Sequence, residues 1–178
     1  MKILKVILFL VLGLVALFLI VPLFMNKEYH CSRSVTISKS KQEVFDFVKY
    51  LRNQDLYSKW AKMDPNMKKD FTGEDGKPGA IASWEGNDDV GKGAQEIKKI
   101  DEGNRVDYEL RFEKPWKSTA QSYMQVEDAG PNVTKVTWGI SGKSSYPMNI
   151  MNFMMDGMLG ADLQTGLDNL KTLLEKTP

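Results

Sequence analysis

Two residues able to do nucleophilic or metal chemistry stand side by side near the start of the chain: His30, its single histidine, and Cys31, its single cysteine. A serine-type triad needs a histidine to take the proton. His30 would have to serve, and it lies just beyond a long apolar stretch. Cys31 is no partner for it, because neighbours in an extended segment point to opposite faces. One cysteine excludes an internal disulfide and a cysteine-based metal cluster, and one histidine excludes a His-rich metal site. Both residues read as bystanders beside an anchor.

The carboxylate pairs Glu74-Asp75, Asp88-Asp89 and Asp101-Glu102 each fall in a turn next to glycine, where a solvated charge is the ordinary explanation. Glu85 is the one weak catalytic candidate. Buried at a cavity mouth, it would have a raised pKa and could act as an acid or base. Yet it follows Trp84 in a strand, so the two point to opposite faces. Asp107, Glu109 and Tyr108 are the other ionisable groups that could serve an enzyme. Gly91-Lys92-Gly93 lacks the spacing of a phosphate loop and opens no helix. No motif asks for a cofactor or a metal. The formal net charge of +1, with no basic stripe among the tryptophans, speaks against nucleic acid.

What remains is apolar. From Pro147 to Glu175 the chain reads as one long helix in two halves. The first carries Met148, Met151, Met154, Met155 and Met158, with Ile150, Phe153 and Leu159 among them; the second has Leu163, Leu167, Leu170 and Leu174 at helical spacing. Leucine specifies tight packing, whereas methionine is soft and fits irregular space. Gly157, Gly160 and Gly166 each cost roughly 1 kcal/mol in a helix interior and mark a close approach, a kink or room for something else.

The remaining elements read in order. Val6 to Met25 is 20 residues without a charge. At about 1.5 Å per residue it matches a bilayer's hydrocarbon core of roughly 30 Å. The run ends without the small-residue site of a cleaved signal peptide. Residues 1–26 are therefore expected to be a single-pass transmembrane anchor and residues 27–178 one domain. The lysines at positions 2 and 5 weakly favour placing that domain outside the cytoplasm. Ser32 to Ser38 reads as a strand and Gln42 to Val48 as a helix that Ser38 or Ser40 could cap. A second helical piece is expected over Leu51 to Trp60. Strands follow at Lys68–Thr72, Ala80–Glu85, Ala94–Ile100, Arg105–Phe112, Ser118–Val126 and Thr134–Ile140. Alternation along Arg105–Phe112 puts Val106, Tyr108, Leu110 and Phe112 on one face. Strands in a run with segregated helices argue an α+β fold: a curved antiparallel β-sheet wrapped around the long C-terminal helix. A cavity between them would be lined by Trp84, Tyr108, Phe112, Met124 and Trp138 from the sheet and by Met151, Met154, Met155 and Met158 from the helix. Met151→Trp is then the substitution that should block it.

This order of elements resembles the START/polyketide-cyclase (SRPBCC, helix-grip) superfamily over about Tyr29 to Lys176, in the manner of its membrane-anchored bacterial members. Three stretches carry the resemblance: Ser40–Phe47 leading to Asp55 and Trp60, Ser83–Gly93, and Thr134–Trp138 before the long helix. They are fold markers, and none is a catalytic signature. The resemblance implies a hydrophobic cavity and a small apolar ligand, with no single chemistry. The function expected is membrane-tethered binding of a small hydrophobic or lipid-like ligand. The alternative is a polyketide cyclase/dehydratase-like enzyme using the same cavity. A cavity well below about 300 Å³ would remove both.

Overall fold

The computed structural model of the protein describes residues 2–176. An apolar helix α1 (Lys2–Ile20) runs into a 3-10 turn (Val21–Phe24) that holds Pro22. The stretch Lys2–Phe24 is long and apolar enough to cross a membrane. Strand β1 (Glu28–Ile37) begins four residues later.

Ser40 starts helix α2 (Lys41–Val48) with a capping box: its hydroxyl accepts from the Glu43 N–H while the Glu43 carboxylate accepts from the Ser40 N–H. Val44, Phe45 and Val48 turn inward from it. The piece expected over Leu51 to Trp60 is broken into a 3-10 turn (Leu51–Asn53) and two short helices, α3 (Gln54–Tyr57) and α4 (Lys59–Met63). The break falls at Ser58, whose backbone is extended and buried. The Asp75 carboxylate fixes the start of the piece by accepting from the N–H groups of Leu51 and Arg52 at 2.8 and 3.1 Å.

The strands β2 (Lys68–Thr72), β3 (Ile81–Glu85), β4 (Lys92–Asp101), β5 (Arg105–Lys114), β6 (Ser118–Gly130) and β7 (Val133–Lys143) follow as antiparallel neighbours. β1 closes on β7, giving the seven-stranded order β1-β7-β6-β5-β4-β3-β2. The alternation along β5 is visible in burial: Val106 and Tyr108 are fully buried, while Arg105 and Asp107 pair with each other on the outer face.

The final helix α5 (Asn152–Lys176) begins later than the sequence pattern suggests, after a 3-10 turn over Met148–Met151. Tertiary contact shapes that turn. The buried Asn149 amide donates to the carbonyls of Pro22 and Met25 at 2.7 and 3.3 Å. Along α5, Leu163, Leu167 and Leu170 lie against the sheet and are at most 1% exposed. Two glycines let the helix come close. A methyl group at Gly160 would fall 2.1 Å from the Arg33 guanidinium, and one at Gly166 would fall 2.7 Å from the Trp138 ring. At Gly157 it would meet nothing within 4 Å.

Candidate functional site: a cavity between sheet and helices

The concave face of the sheet, α3–α4 and the middle of α5 enclose a cavity of about 240 Å³. Its aromatic wall is built by two tryptophans that lie across glycines or small residues. Trp84 on β3 rests over Gly93, where any Cβ would fall 2.6 Å from its ring, and meets Phe112 of β5 edge-on at 6.0 Å. Trp138 on β7 lies against Gly166 and meets Tyr57 and Trp60 edge-on, each at 5.8 Å. Such edge-to-face pairs suit the ring quadrupoles. Leu159 and Leu163 of α5 close the cavity from the helix side; Phe71, Ala82, Leu110 and Ile140 fill in the sheet side.

The polar groups are few. The Trp138 indole N–H donates to the Ser122 hydroxyl at 3.2 Å, and that hydroxyl donates to the Gly139 carbonyl at 2.9 Å. Asp55 and Lys69, both on the wall, pair with each other at 2.8 Å. Gln54 is buried; its side-chain nitrogen makes no hydrogen bond of good geometry, and the Tyr108 phenol is the polar group it interacts with. A buried amide left so is a cost in free energy unless something else answers it.

The chain as a whole can be compared with known proteins. The family model described as polyketide cyclase / dehydrase and lipid transport matches residues 29–175. The chain belongs to that family. No curated protein matches it. Solved structures with the same fold include a protein of Nitrosospira multiformis, 15% identical over 80% of this chain and 94% of that one, with a TM-score of 0.59. A hypothetical protein of Helicobacter pylori is 12% identical over 83% and 88%, with a TM-score of 0.63. The di-domain ARO/CYC BexL from the BE-7585A biosynthetic pathway is 13% identical over 85% of this chain and 52% of its own, with a TM-score of 0.61. At these identities the likeness is one of fold.

In this family member the residues expected around the cavity separate into three groups. Trp84, Phe112 and Trp138 line it. Tyr108 and Met124 share their sheet face but lie deeper, fully buried in the core and not on the cavity wall. Tyr108 donates to the Val48 carbonyl at 3.3 Å, so helix α2 covers it; burial pushes its phenol pKa up. The third group departs from expectation: Met151, Met154 and Met158 are exposed, Met155 is half-buried, and none of the four is on the wall. Met154 and Met158 fall on other faces of α5 than the stripe through Leu159, Gly160, Leu163 and Gly166 that meets the sheet. Met151 lies in the 3-10 turn before the helix, and Met155, one turn before Leu159 on the same stripe, is half-buried past the end of the cavity wall. Met151→Trp would therefore leave the cavity open.

Glu85 is exposed, on the opposite side of β3 from Trp84. Lys92 at 3.5 Å and Lys114 at 3.7 Å flank it, and Lys92 above all holds its carboxyl below the usual carboxylate range. The burial that would raise its pKa is missing. His30 is exposed and stacks on Tyr123 at 6.5 Å. Cys31 is buried, and burial first, then its hydrogen bond toward Asp156, pushes its thiol up to about 11. Sequence reasoning missed Gln54, Phe71, Ala82, Leu159 and Leu163. Leu159 and Leu163 carried the helical i, i+4 signal, and Phe71 and Ala82 the strand alternation. Gln54 carried none.

Proposed function

We propose that this protein is a membrane-tethered binder of a small hydrophobic or lipid-like molecule, held in the cavity between sheet and α5. Residues 1–26 serve as the single-pass anchor and residues 27–178 as the binding domain, outside the cytoplasm. The observation that carries the reading is the cavity itself: its surface is mostly aromatic and aliphatic, and the buried Gln54 amide on its wall makes no hydrogen bond of good geometry. Its 240 Å³ sits a little under the roughly 300 Å³ at which ligand sites usually begin and well above the about 150 Å³ that holds a benzene. That favours a one- or two-ring molecule, or a segment of an acyl chain whose remainder protrudes past Asp55 and Lys69. A carbonyl or hydroxyl on the ligand would accept from Gln54. Trp84, Phe112 and Trp138 are the contact residues in this reading, joined by Trp60, Leu159 and Leu163.

Native mass spectrometry of the full-length chain released from detergent micelles tests this, with Ala82→Trp as the cavity-filled control. The expected result is a discrete adduct on the wild type that is lost on organic extraction and absent from Ala82→Trp. The same adduct on both proteins would place the ligand elsewhere and overturn the reading.

A further inference from the structure

Among the described residues beyond residue 24, ten large apolar side chains are exposed, and six of them fall between residues 146 and 158: Tyr146, Met148, Met151, Phe153, Met154 and Met158, at 40–71% exposure. A cluster of this kind marks an interaction surface. The same segment is fastened to the end of the N-terminal span. The Tyr146 hydroxyl donates to the Leu19 carbonyl at 2.9 Å, the Asn149 amide to Pro22 and Met25, and the Asn152 amide to the Asn26 carbonyl at 3.1 Å. Pro22, covered by this contact, is the one buried residue among the described residues of the span.

From these contacts we propose that the segment from Tyr146 to Met158 lies in the interface of the same bilayer that the anchor spans, and that it sets the open cavity down against the lipid. The inference rests on the anchor reading given above. If Lys5 and Phe24 bracket the hydrocarbon, Leu19 lies about 8–9 Å inside it, at roughly 1.5 Å per α-helical residue and 2.0 Å per residue of the 3-10 turn Val21–Phe24. A side chain bonded to Leu19 is then at the depth where amphipathic helices bury their apolar face, about 5–10 Å into the boundary. Tyr146 is suited to that level, with an apolar ring and a polar tip.

The sheet register brings the cavity to the same level. β1 leaves the anchor at Glu28, which pairs with Lys143; Tyr29 and Ala120 both pair with Gly142, and Phe112 pairs with Ser118. The strand ends that carry Phe112 and Trp84 are thus the membrane-proximal ends. The β5–β6 hairpin at this end exposes Trp116 at 75%. Charge does not drive the contact. Lys92 and Lys114 pair with Glu85 and Glu113, and Lys143 stands opposite Glu28 in the β1–β7 register. Apolar burial must supply the binding, so neutral phosphatidylcholine should suffice.

The test places single spin labels in the full-length chain, reconstituted in phosphatidylcholine bilayers, at Met154→Cys, Met158→Cys, Val11→Cys in the span and Lys135→Cys at the far end of the sheet. Cys31 is buried and stays unlabelled, which the wild type checks. Accessibility to oxygen relative to a water-soluble nickel chelate should be several-fold higher at 154 and 158 than at 135, and highest at 11. If 11 is deep while 154 and 158 match 135, the interface contact is refuted and the anchor stands. If 11 is also wet, the anchor reading has failed, and this inference with it. If 154 and 158 are shielded from both reagents, a protein surface covers the patch and the lipid assignment is overturned.

Discussion

The two halves of the C-terminal helix are made of residues of similar hydrophobicity, and they end in opposite surroundings. Leu163, Leu167 and Leu170 are packed under the sheet, while Met151, Met154 and Met158 lie outside the core. Hydrophobicity alone does not separate them. Spacing and neighbours do. The leucines repeat along one face, and Gly160 and Gly166 on that face bring Arg33 and Trp138 to the helix backbone. The methionines are spread around the helix and its leading turn, so no single sheet face could cover them all. The segment that carries them is fastened, through Asn149 and Asn152, to Pro22, Met25 and Asn26 at the end of the apolar span.

The largest expected effect comes from truncating the two halves at matched positions. Leu167→Ala empties a fully buried site, which costs about 2–5 kcal/mol. Met158→Ala, at a 58% exposed position, should stay within about 0.5 kcal/mol. Thermal unfolding of the full-length chain in detergent, followed by near-ultraviolet circular dichroism, would show a large drop for the first and almost none for the second. Equal drops would mean that the methionine half is also covered by protein, which breaks the comparison.

The glycines sharpen it at a smaller scale. A methyl group at Gly166 meets Trp138 at 2.7 Å, whereas at Gly157 it meets nothing within 4 Å. Gly166→Ala should therefore cost about 1–3 kcal/mol through overpacking, and it should shift the near-ultraviolet signal of Trp138. Gly157→Ala should stabilise, by up to about 1 kcal/mol, from helix propensity. If both substitutions stabilise, the close approach of α5 to β7 is wrong.

How much of this was legible beforehand depends on what kind of signal each residue carries. Strands β2 to β7 were readable because turn residues punctuate them and β5 alternates strictly. The cavity's sheet wall was half readable for the same reason: alternation puts Trp84, Phe112 and Trp138 on the inner face with Tyr108 and Met124. It cannot say how far along a strand the helices cover that face. Helix α2 fills the space over Tyr108, and that is a tertiary fact. The methionine half misled because residue type suggested softness around a ligand while helical phase was not followed through from Leu163. Gln54 was invisible, since nothing in a lone glutamine within a broken helical stretch announces burial.

The smallest expected effect concerns the junction between the halves, where Arg33 grips Asp156. The guanidinium donates to both carboxylate oxygens, at 2.9 and 3.0 Å, and also to the Asp156 carbonyl at 3.0 Å. The carboxylate is largely exposed, at 64%, so solvent screens the pair and its contribution is modest. Its direction with pH is still definite. The Arg33 hydrogen bonds, first, and then that of Cys31 hold the Asp156 carboxyl below its ordinary value of 3.8. A carboxyl with a lowered folded-state pKa adds stability above its unfolded value, and that stability is lost as pH falls through the lower folded value. Asp156→Asn should therefore lower the unfolding midpoint slightly at pH 7 and make no difference at a pH below the folded value. Differential unfolding of the two proteins from pH 7 down to pH 2 reads this directly. No gap at any pH would show that the fork acts only through its hydrogen bond to the Asp156 carbonyl, which the substitution keeps. The boundary between the packed leucine half and the exposed methionine half would then be fixed by Gly160 and backbone contacts, with no part for the ion pair.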